Sequence, residues 1–407
     1  MKRILALGAL AALAVGASTV LVSAKDNHDE YRSGGDGPLT FAVFGDQPYA
    51  IDSANYTKAP PLYGNDTAEL DALPAFIKAV NNDHKVQLSL FAGDIHGGKQ
   101  PCTLAWNHAI AQLWSAFKDP LIYTPGDNEW TDCNKAKEGG NTKNSNGDYV
   151  DYANGNPVAN LALVRQLFFA TPGDTMGGHK DVVSQAQEFD PAHPSDGEYV
   201  ENVMWEQGGI MFVSVNIPGG SNNDADAWFG LTLTGEQTQE QLQRTGADLR
   251  WLDKAFAQAT QDHMGGLVIL TQADMWDLDS VLDAPIGHHL TNYDAIIANI
   301  ANNTNAFNKP VLLFNGDSHI YRSDNPLSPG GTCLTEGGVC TDTAISLADA
   351  NATHTGIPTV SDNLFHRLVV HGSTFPLEYL RVSVNTKHPP APGPNSFGPF
   401  SWERVAP

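Results

Sequence analysis

The sequence is short of basic residues and of cysteine, and it has no long apolar run beyond its first two dozen residues. Lysine and arginine number 23 against 46 aspartates and glutamates, a formal charge of −23. A surface of that sign repels nucleic acid and anionic lipid, so nucleic-acid binding is not expected. Charged residues make up 17% and hydrophobic residues 41%, which excludes a disordered chain and leaves ample material for a core. The four cysteines, Cys102, Cys133, Cys333 and Cys340, include no CxxC spacing, so a zinc site is the weaker reading. An even count in an exported chain points instead to two disulfides, with three pairings open. Cys102–Cys133 and Cys333–Cys340 are favoured, because the first ties the loops after two similar strands and the second closes a Gly-rich loop.

The single long apolar run occupies residues 1–24, where Lys2 and Arg3 precede an Ala/Leu/Val stretch ending in Val22-Ser23-Ala24. This is the pattern of a bacterial-type secretory signal with a small-residue cleavage site. The competing reading is an N-terminal membrane anchor. The expectation is therefore an exported protein, periplasmic or extracellular, with no membrane association once the signal is removed. Residues 25–38 are polar and Gly-rich and read as a flexible leader. From 39 to 407 no linker or repeat divides the chain, so a single domain is expected.

Four apolar runs end abruptly in Gly-Asp: Leu39–Phe44 before Asp46, Leu88–Ala92 before Asp94, Leu121–Thr124 before Asp127, and Val311–Asn315 before Asp317. The chain has seven Gly-Asp pairs, and the other three (Asp36, Asp148, Asp174) lie in polar loop sequence, so the association with strand ends favours a shared site. Short apolar runs bounded by turn residues suit strands buried on both faces, whose carboxyl ends are where open α/β sheets place ligands. Helical periodicity over 67–82, 103–117, 158–169, 236–259 and 293–300 alternates with further strands at 210–217, 267–271, 367–370 and 378–384. That alternation predicts an α/β fold with parallel pairing through right-handed crossovers.

Side by side, such strands bring the four aspartates to one edge. Two unit charges ~4 Å apart repel by ~4 kcal/mol at an effective dielectric of ~20. None of the four turns contains lysine or arginine, although Arg322 follows the last. Bound cations are the economical answer.

The order and context of these turns resemble the calcineurin-like metallophosphoesterases, in which successive strands end in D-x-H, GD-x-x, GNH with D or E, a lone His, and G-H-x-H. Here Gly45-Asp46-Gln47-Pro48, Gly93-Asp94, Gly126-Asp127-Asn128-Glu129, Gln272 and Gly316-Asp317-Ser318-His319 stand in those places. The resemblance implies two packed mixed β-sheets flanked by helices in a four-layer sandwich. It further implies hydrolysis of small phosphomono- or phosphodiesters by a metal-activated water. By the same resemblance Asp94 bridges two ions, Asp46 and His319 hold the first, and Asp127, Gln272 and Asp317 hold the second.

Pro48 stands where the family has a ligand histidine, Gln272 replaces another, and Asn128 replaces the histidine that stabilises the leaving group. Oxygen donors in these places suit one or two divalent ions of the Mn²⁺, Ca²⁺ or Mg²⁺ kind better than zinc. Asn128 can donate a hydrogen bond to a phosphoryl oxygen, and His96 is the candidate general acid. The alternative function is a binding protein that keeps the cation site and has lost hydrolysis. By the resemblance Tyr49 or Gln47 is an alternative ligand where Pro48 cannot serve, but Tyr49 reads first as a packed turn residue, and Trp130, Trp228, Trp251 and Trp276 as core or pocket wall. His288 and His289 read as an exposed loop pair and Gly219–Asn223 as a Gly/Asn-rich turn, with an anion cradle as the lesser reading; His366 and His371 flank a strand, and their distance from the site is left open by the sequence.

Overall fold

The computed structural model describes residues 38–49, 68–223, 227–229, 232–277, 290–328, 333–339, 354, 356–374 and 376–407. The expected signal, the leader up to Gly37, His288, His289 and Cys340 lie outside these residues.

The chain first lays down β1 (Leu39–Phe44), helix α1 (Ala68–Asn82), β2 (Ser89–Phe91), α2 (Leu104–Trp114), β3 (Pro120–Tyr123), α3 (Pro157–Phe168) and β4 (Met176–Gly177). It then crosses to a second sheet with β5 (Val183–Ser184), β6 (Val203–Gln207), β7 (Ile210–Ser214), α4 (Gly235–Gln261), β8 (Leu267–Leu270), α5 (Asp294–Phe307) and β9 (Val311–Asn315). The same sheet gains β10 (Arg322–Asp324), β11 (Leu334–Thr335), β12 (Gly338–Val339) and β13 (Phe365–Val369). Finally the chain returns to the first sheet with β14 (Tyr379–Val384), β15 (Ser396–Phe397) and β16 (Phe400–Val405).

The first sheet runs β15-β16-β14-β1-β2-β3-β4 and the second β12-β11-β10-β13-β9-β8-β7-β6-β5. Strands β1, β2 and β3 are parallel, as are β7, β8, β9 and β13, and the outer strands are antiparallel. Both sheets are thus mixed, and both are flanked by helices. β1 lies between β2 and the late strand β14, with Leu39 opposite Val384 and Val43 opposite Leu380.

Alternation along the strands builds three apolar layers. Leu39, Phe41 and Val43 join Leu90, Phe212, Val268, Leu312 and Phe314 between the sheets. Ala42 and Phe44 face the other way, toward Phe76 and Ile77 of α1 and Trp106, Ile110 and Trp114 of α2. On the far side, Leu313 and Ile269 pack under Trp251, Phe256, Ile296 and Ile300 of α4 and α5. Phe41 meets Phe212 and Phe314 edge-on, with ring centroids 5.5 and 5.9 Å away. Burying each such ring is worth roughly 2–3 kcal/mol.

Side chains close the helix starts. Thr103 accepts from Trp106 N at 3.2 Å, Asn156 from Ala159 N at 2.8 Å and Thr234 from Gln237 N at 3.0 Å; each cap is worth about 1 kcal/mol. The segment 139–157 is built of short turns, and its Tyr152 N–H donates to the carbonyl of Cys102 at 2.8 Å beside the Cys102–Cys133 disulfide. Cys333 is also disulfide-bonded.

Candidate metal centre

Each expected aspartate falls just past the carboxyl end of a parallel strand: Asp46 after β1, Asp94 after β2, Asp127 after β3 and Asp317 after β9. Gln272 follows β8 and Gly219 follows β7, so both sheets empty onto one edge. Asp46, Asp94, Asp317 and His319 have φ of 49°, 62°, 76° and 63°. A non-glycine residue held in this left-handed region costs roughly 1–3 kcal/mol, and such residues gather at functional sites.

Two clusters share Asp94. In the first, ligand atoms of Asp46, Asp94 and His319 all lie within 4.8 Å of one another. The hydroxyl of Tyr49 sits among them, 3.5 Å from Asp46 Oδ1, 3.3 Å from Asp94 Oδ2 and 3.1 Å from His319 Nε2. Asn128 donates through Nδ2 to Asp94 Oδ2 at 2.9 Å and through its backbone N–H to Asp94 Oδ1 at 3.2 Å. In the second cluster, a β-carbon on Gly219 would stand 2.6 Å from both Asp127 Oδ2 and Asp317 Oδ1, so only glycine admits the two carboxylates there.

Gln272, expected as a ligand, lies between the two clusters and is hydrogen-bonded to both. Gly219 N–H donates to Gln272 Oε1 at 2.5 Å, and only the amide oxygen can accept that bond. The NH₂ therefore faces Asp94 Oδ2 at 3.2 Å and Asp127 Oδ1 at 3.1 Å. Gln272 donates into the carboxylate cluster through its NH₂, while Gly219 N–H takes one of the two lone pairs of its Oε1.

His96, the candidate general acid, is not hydrogen-bonded into the cluster. It is fully buried, its Nδ1 contacts only the carbonyl of Gly97 at 3.3 Å, and its Nε2 has no partner. Burial pushes its pKa down to about 4, so it is neutral and bonded to none of the four aspartates.

A second set of contacts holds the ligands in place. Asp274 N–H donates to Asp317 Oδ2 at 3.0 Å, and the Asp274 carboxylate accepts from Ser318 Oγ at 2.8 Å and from the buried Arg367. Arg367 is fixed in turn by Asp324 at 2.8 and 2.7 Å. Glu129 accepts from Gly126 N at 2.7 Å and from the Tyr123 hydroxyl. His366 lies apart from the site, hydrogen-bonded to Ser323 Oγ at 2.9 Å and stacked on Phe397. His371 stands between Glu336 and Glu378 at 3.4 and 3.3 Å. Trp130, Trp228, Trp251 and Trp276 are buried, as expected of core residues.

Electrostatics favour a cation. Burial raises the pKa of Asp46, Asp94 and Asp317 well above the ordinary carboxylate range, and mutual repulsion adds to it. Burial and the nearby Asp132 push Asp127 up to about 7. Among the described residues no lysine or arginine bonds to any of these four carboxylates. Asp46 Oδ2 is buried without a hydrogen-bond partner. Burial brings His319 down to about 4, which leaves its imidazole neutral, the form that ligates metals. The residues present thus fit a divalent ion at Asp46, Asp94 and His319, with Asp127 and Asp317 adjoining.

A two-sheet α/β sandwich with a carboxylate and histidine cluster at its strand ends is the metallophosphoesterase architecture. The chain belongs to the calcineurin-like phosphoesterase family, whose model matches residues 39–252. The matched stretch contains Asp46, Asp94, Asp127 and Asn128, whereas Gln272, Asp317 and His319 lie beyond it. Among solved structures, a purple acid phosphatase from yellow lupin (Lupinus luteus) seeds is similar at 12% identity and a TM-score of 0.39, over 86% of this chain and 50% of that one. This chain therefore spans half the length of that phosphatase. A search of curated proteins gave no match.

Proposed function

We propose that the protein is an exported metal-dependent phosphoesterase acting on small phosphomono- or phosphodiesters, and that residues 39–407 form one domain. The observation that carries the reading is the convergence of Asp46, Asp94, Asp127, Asp317 and His319 at the strand ends, three of the aspartates and the histidine in left-handed conformation. Asp46, Asp94 and His319 would hold an ion, and Asp127 and Asp317 are placed to hold a second. A bound divalent ion supplies Lewis-acid polarisation of a phosphoryl oxygen and a more acidic attacking water.

The chain's own groups orient that chemistry. Gln272 and Asn128 aim neutral N–H donors at Asp94, fixing which lone pairs it presents. Asn128 can also donate to a phosphoryl oxygen, but it carries no proton that it can give to a leaving group. Oxygen donors dominate the cluster, which favours Mn²⁺, Ca²⁺ or Mg²⁺ over zinc. Export is supported by the N-terminal signal pattern and by the Cys102–Cys133 disulfide.

Hydrolysis of p-nitrophenyl phosphate and bis(p-nitrophenyl) phosphate with each of these ions, beside an Asp94→Asn variant, tests the reading. Turnover that the substitution abolishes supports it, and wild-type inactivity with every ion and ester overturns it. Asn128 in place of an imidazole favours a second reading, a cation-binding protein without hydrolysis. Ion binding by an inactive wild type selects that one.

A further inference from the structure

Beyond β7 the chain turns through Gly219–Asn223, where Ser221, Asn222 and Asn223 take φ of 59°, 59° and 66° in succession. Non-glycine residues visit this left-handed region singly, so a run of three needs contacts from elsewhere to hold it. The turn is also a wall of the second cluster. Gly219 donates to Gln272, a β-carbon on it would press on both Asp127 and Asp317, and one on Gly220 would stand 3.8 Å from Asp127 Oδ2. A small shift of the turn therefore reaches both carboxylates.

The contacts that hold the turn centre on one side chain of α4. Arg244 is fully buried, and its Nη1 donates to Asn222 Oδ1 at 2.6 Å and to the Asn216 carbonyl at 3.2 Å, while Nη2 donates to the Asn222 carbonyl at 3.1 Å. Glu240, one helical turn earlier, accepts from Arg244 Nε at 2.7 Å and from Asn223 Nδ2 at 2.6 Å. The guanidinium lies over the Trp130 ring, 5.4 Å from its centroid, and Trp130 N–H donates to the Asp127 carbonyl at 3.2 Å. One side chain thus touches both the loop that carries Asp127 and the turn that borders Asp127 and Asp317. Packing alone does not call for a charge here, since burying one is costly unless it is paired and hydrogen-bonded. Among the described residues Arg244 makes no bond to the four clustered aspartates, so its reach to them runs through the turn and through Trp130.

We propose that Arg244 is the positioning residue of the second ion position, fixing the Gly219–Asn223 turn against Asp127 and Asp317. The inference rests on the metal-centre reading above and requires an effect on one ion of the two, because Asp46 and His319 belong to other loops.

Mn²⁺ added to chelator-treated protein is the probe, followed by calorimetry and electron paramagnetic resonance. Two Mn²⁺ ions about 4 Å apart give a spin-coupled spectrum, whereas a lone ion gives an isolated one. Wild type is expected to bind two ions and to show the coupled signal as the second enters. Arg244→Lys keeps the charge and loses the planar fork. It is expected to bind the first ion as wild type does and the second about 10–100-fold more weakly, the range for groups that orient a metal ligand. Asn222→Gly keeps the left-handed backbone, removes the Oδ1 acceptor and should show the same split; it decides the matter if Arg244→Lys does not fold. Arg250→Lys is the control, because on the same helix it breaks a bidentate pair with Asp196, 2.6 Å at both bonds, and should leave both ions unaffected. Equal weakening of both ions, no weakening, or the same split in the control overturns the positioning role and leaves the metal centre standing. A wild type that takes up one ion removes the second position and this role with it, and one that takes up none overturns the centre as well.

Discussion

Asp94 lies so close to Gly126 that a β-carbon on the glycine would stand 2.0 Å from Asp94 Oδ1 and 2.5 Å from its backbone nitrogen. The glycine that precedes one aspartate thus makes room for the aspartate of the neighbouring strand. Gly126→Ala must displace the carboxylate shared by both clusters. Overpacking of this kind typically costs 1–3 kcal/mol, and a misplacement of about 1 Å at a reacting centre can cost ~100-fold in rate. We expect Gly126→Ala to lose ion binding and about two orders of magnitude of activity. Gly235→Ala, where nothing lies within 4 Å of the added carbon, should leave both within error. Calorimetric ion titration and initial rates on the two variants make the comparison.

Asn128 should make the enzyme selective for esters whose leaving groups depart without a proton. Aryl esters are expected to turn over and alkyl esters to lag steeply, so a plot of log rate against leaving-group pKa should be steep. Asn128→His should flatten it, raising alkyl-ester turnover by roughly 10²–10⁴-fold, the usual range for general acid catalysis. A slope that does not change with the substitution counts against a leaving-group position at residue 128.

Stability of the metal-free protein should fall with rising pH. Asp127 is raised from 3.8 to about 7 in the folded state, so its contribution is complete below pH ~4 and disappears as pH climbs through 7. The upward shifts of Asp46, Asp94 and Asp317 act in the same direction. His96 and His319, depressed to about 4, act oppositely: their contribution is complete above their ordinary value near 6.5 and is lost on acidification. The aspartate effect is therefore read as a difference. Between pH 5 and 8 the melting temperature of chelated wild type should drop more than that of Asp127→Asn, and added divalent ion should remove the gap. Parallel melting curves for the two would contradict the electrostatic account.

Reducing Cys102–Cys133 should loosen the site from one side. The bridge spans 31 residues, and both sulfurs lie against the carbonyl of Asn128, at 3.2 and 3.5 Å. Closing a loop of that length is worth about 3–4 kcal/mol. A Cys102→Ser/Cys133→Ser double variant is expected to be less stable to denaturant by about 3–4 kcal/mol and to bind ions more weakly, while its far-ultraviolet circular dichroism stays unchanged at low temperature.

Much of this architecture was legible because burial on both faces leaves a plain signature. The runs ending at Asp46, Asp94, Asp127 and Asp317 are continuous apolar stretches, and the structure makes each of them a strand. The β6–β7 hairpin was missed although Val203–Gln207 and Ile210–Ser214 flank Gly208-Gly209, a two-residue turn signal. Short partners such as β10–β12 and β15 carry too few residues for a periodicity to register. Inside the site, residue type was readable and direction was not. Gln272 reads as a ligand, and only the fold shows that Gly219 N–H, 53 positions earlier, takes one lone pair of its oxygen. Tyr49 looks like a turn residue until the fold sets it beside His319, 270 positions later. His96 sits two residues past Asp94, yet the turn buries it away from the carboxylates. No local pattern encodes any of these three outcomes.

The place of β1 between β2 and β14 governs when the centre can exist. A growing polypeptide gains the second neighbour of the strand carrying Asp46 only after residue 384 has been made, and Asp317 and His319 also arrive late. The candidate ligands run from Asp46 to His319, so the full set is present only once most of the chain has been made.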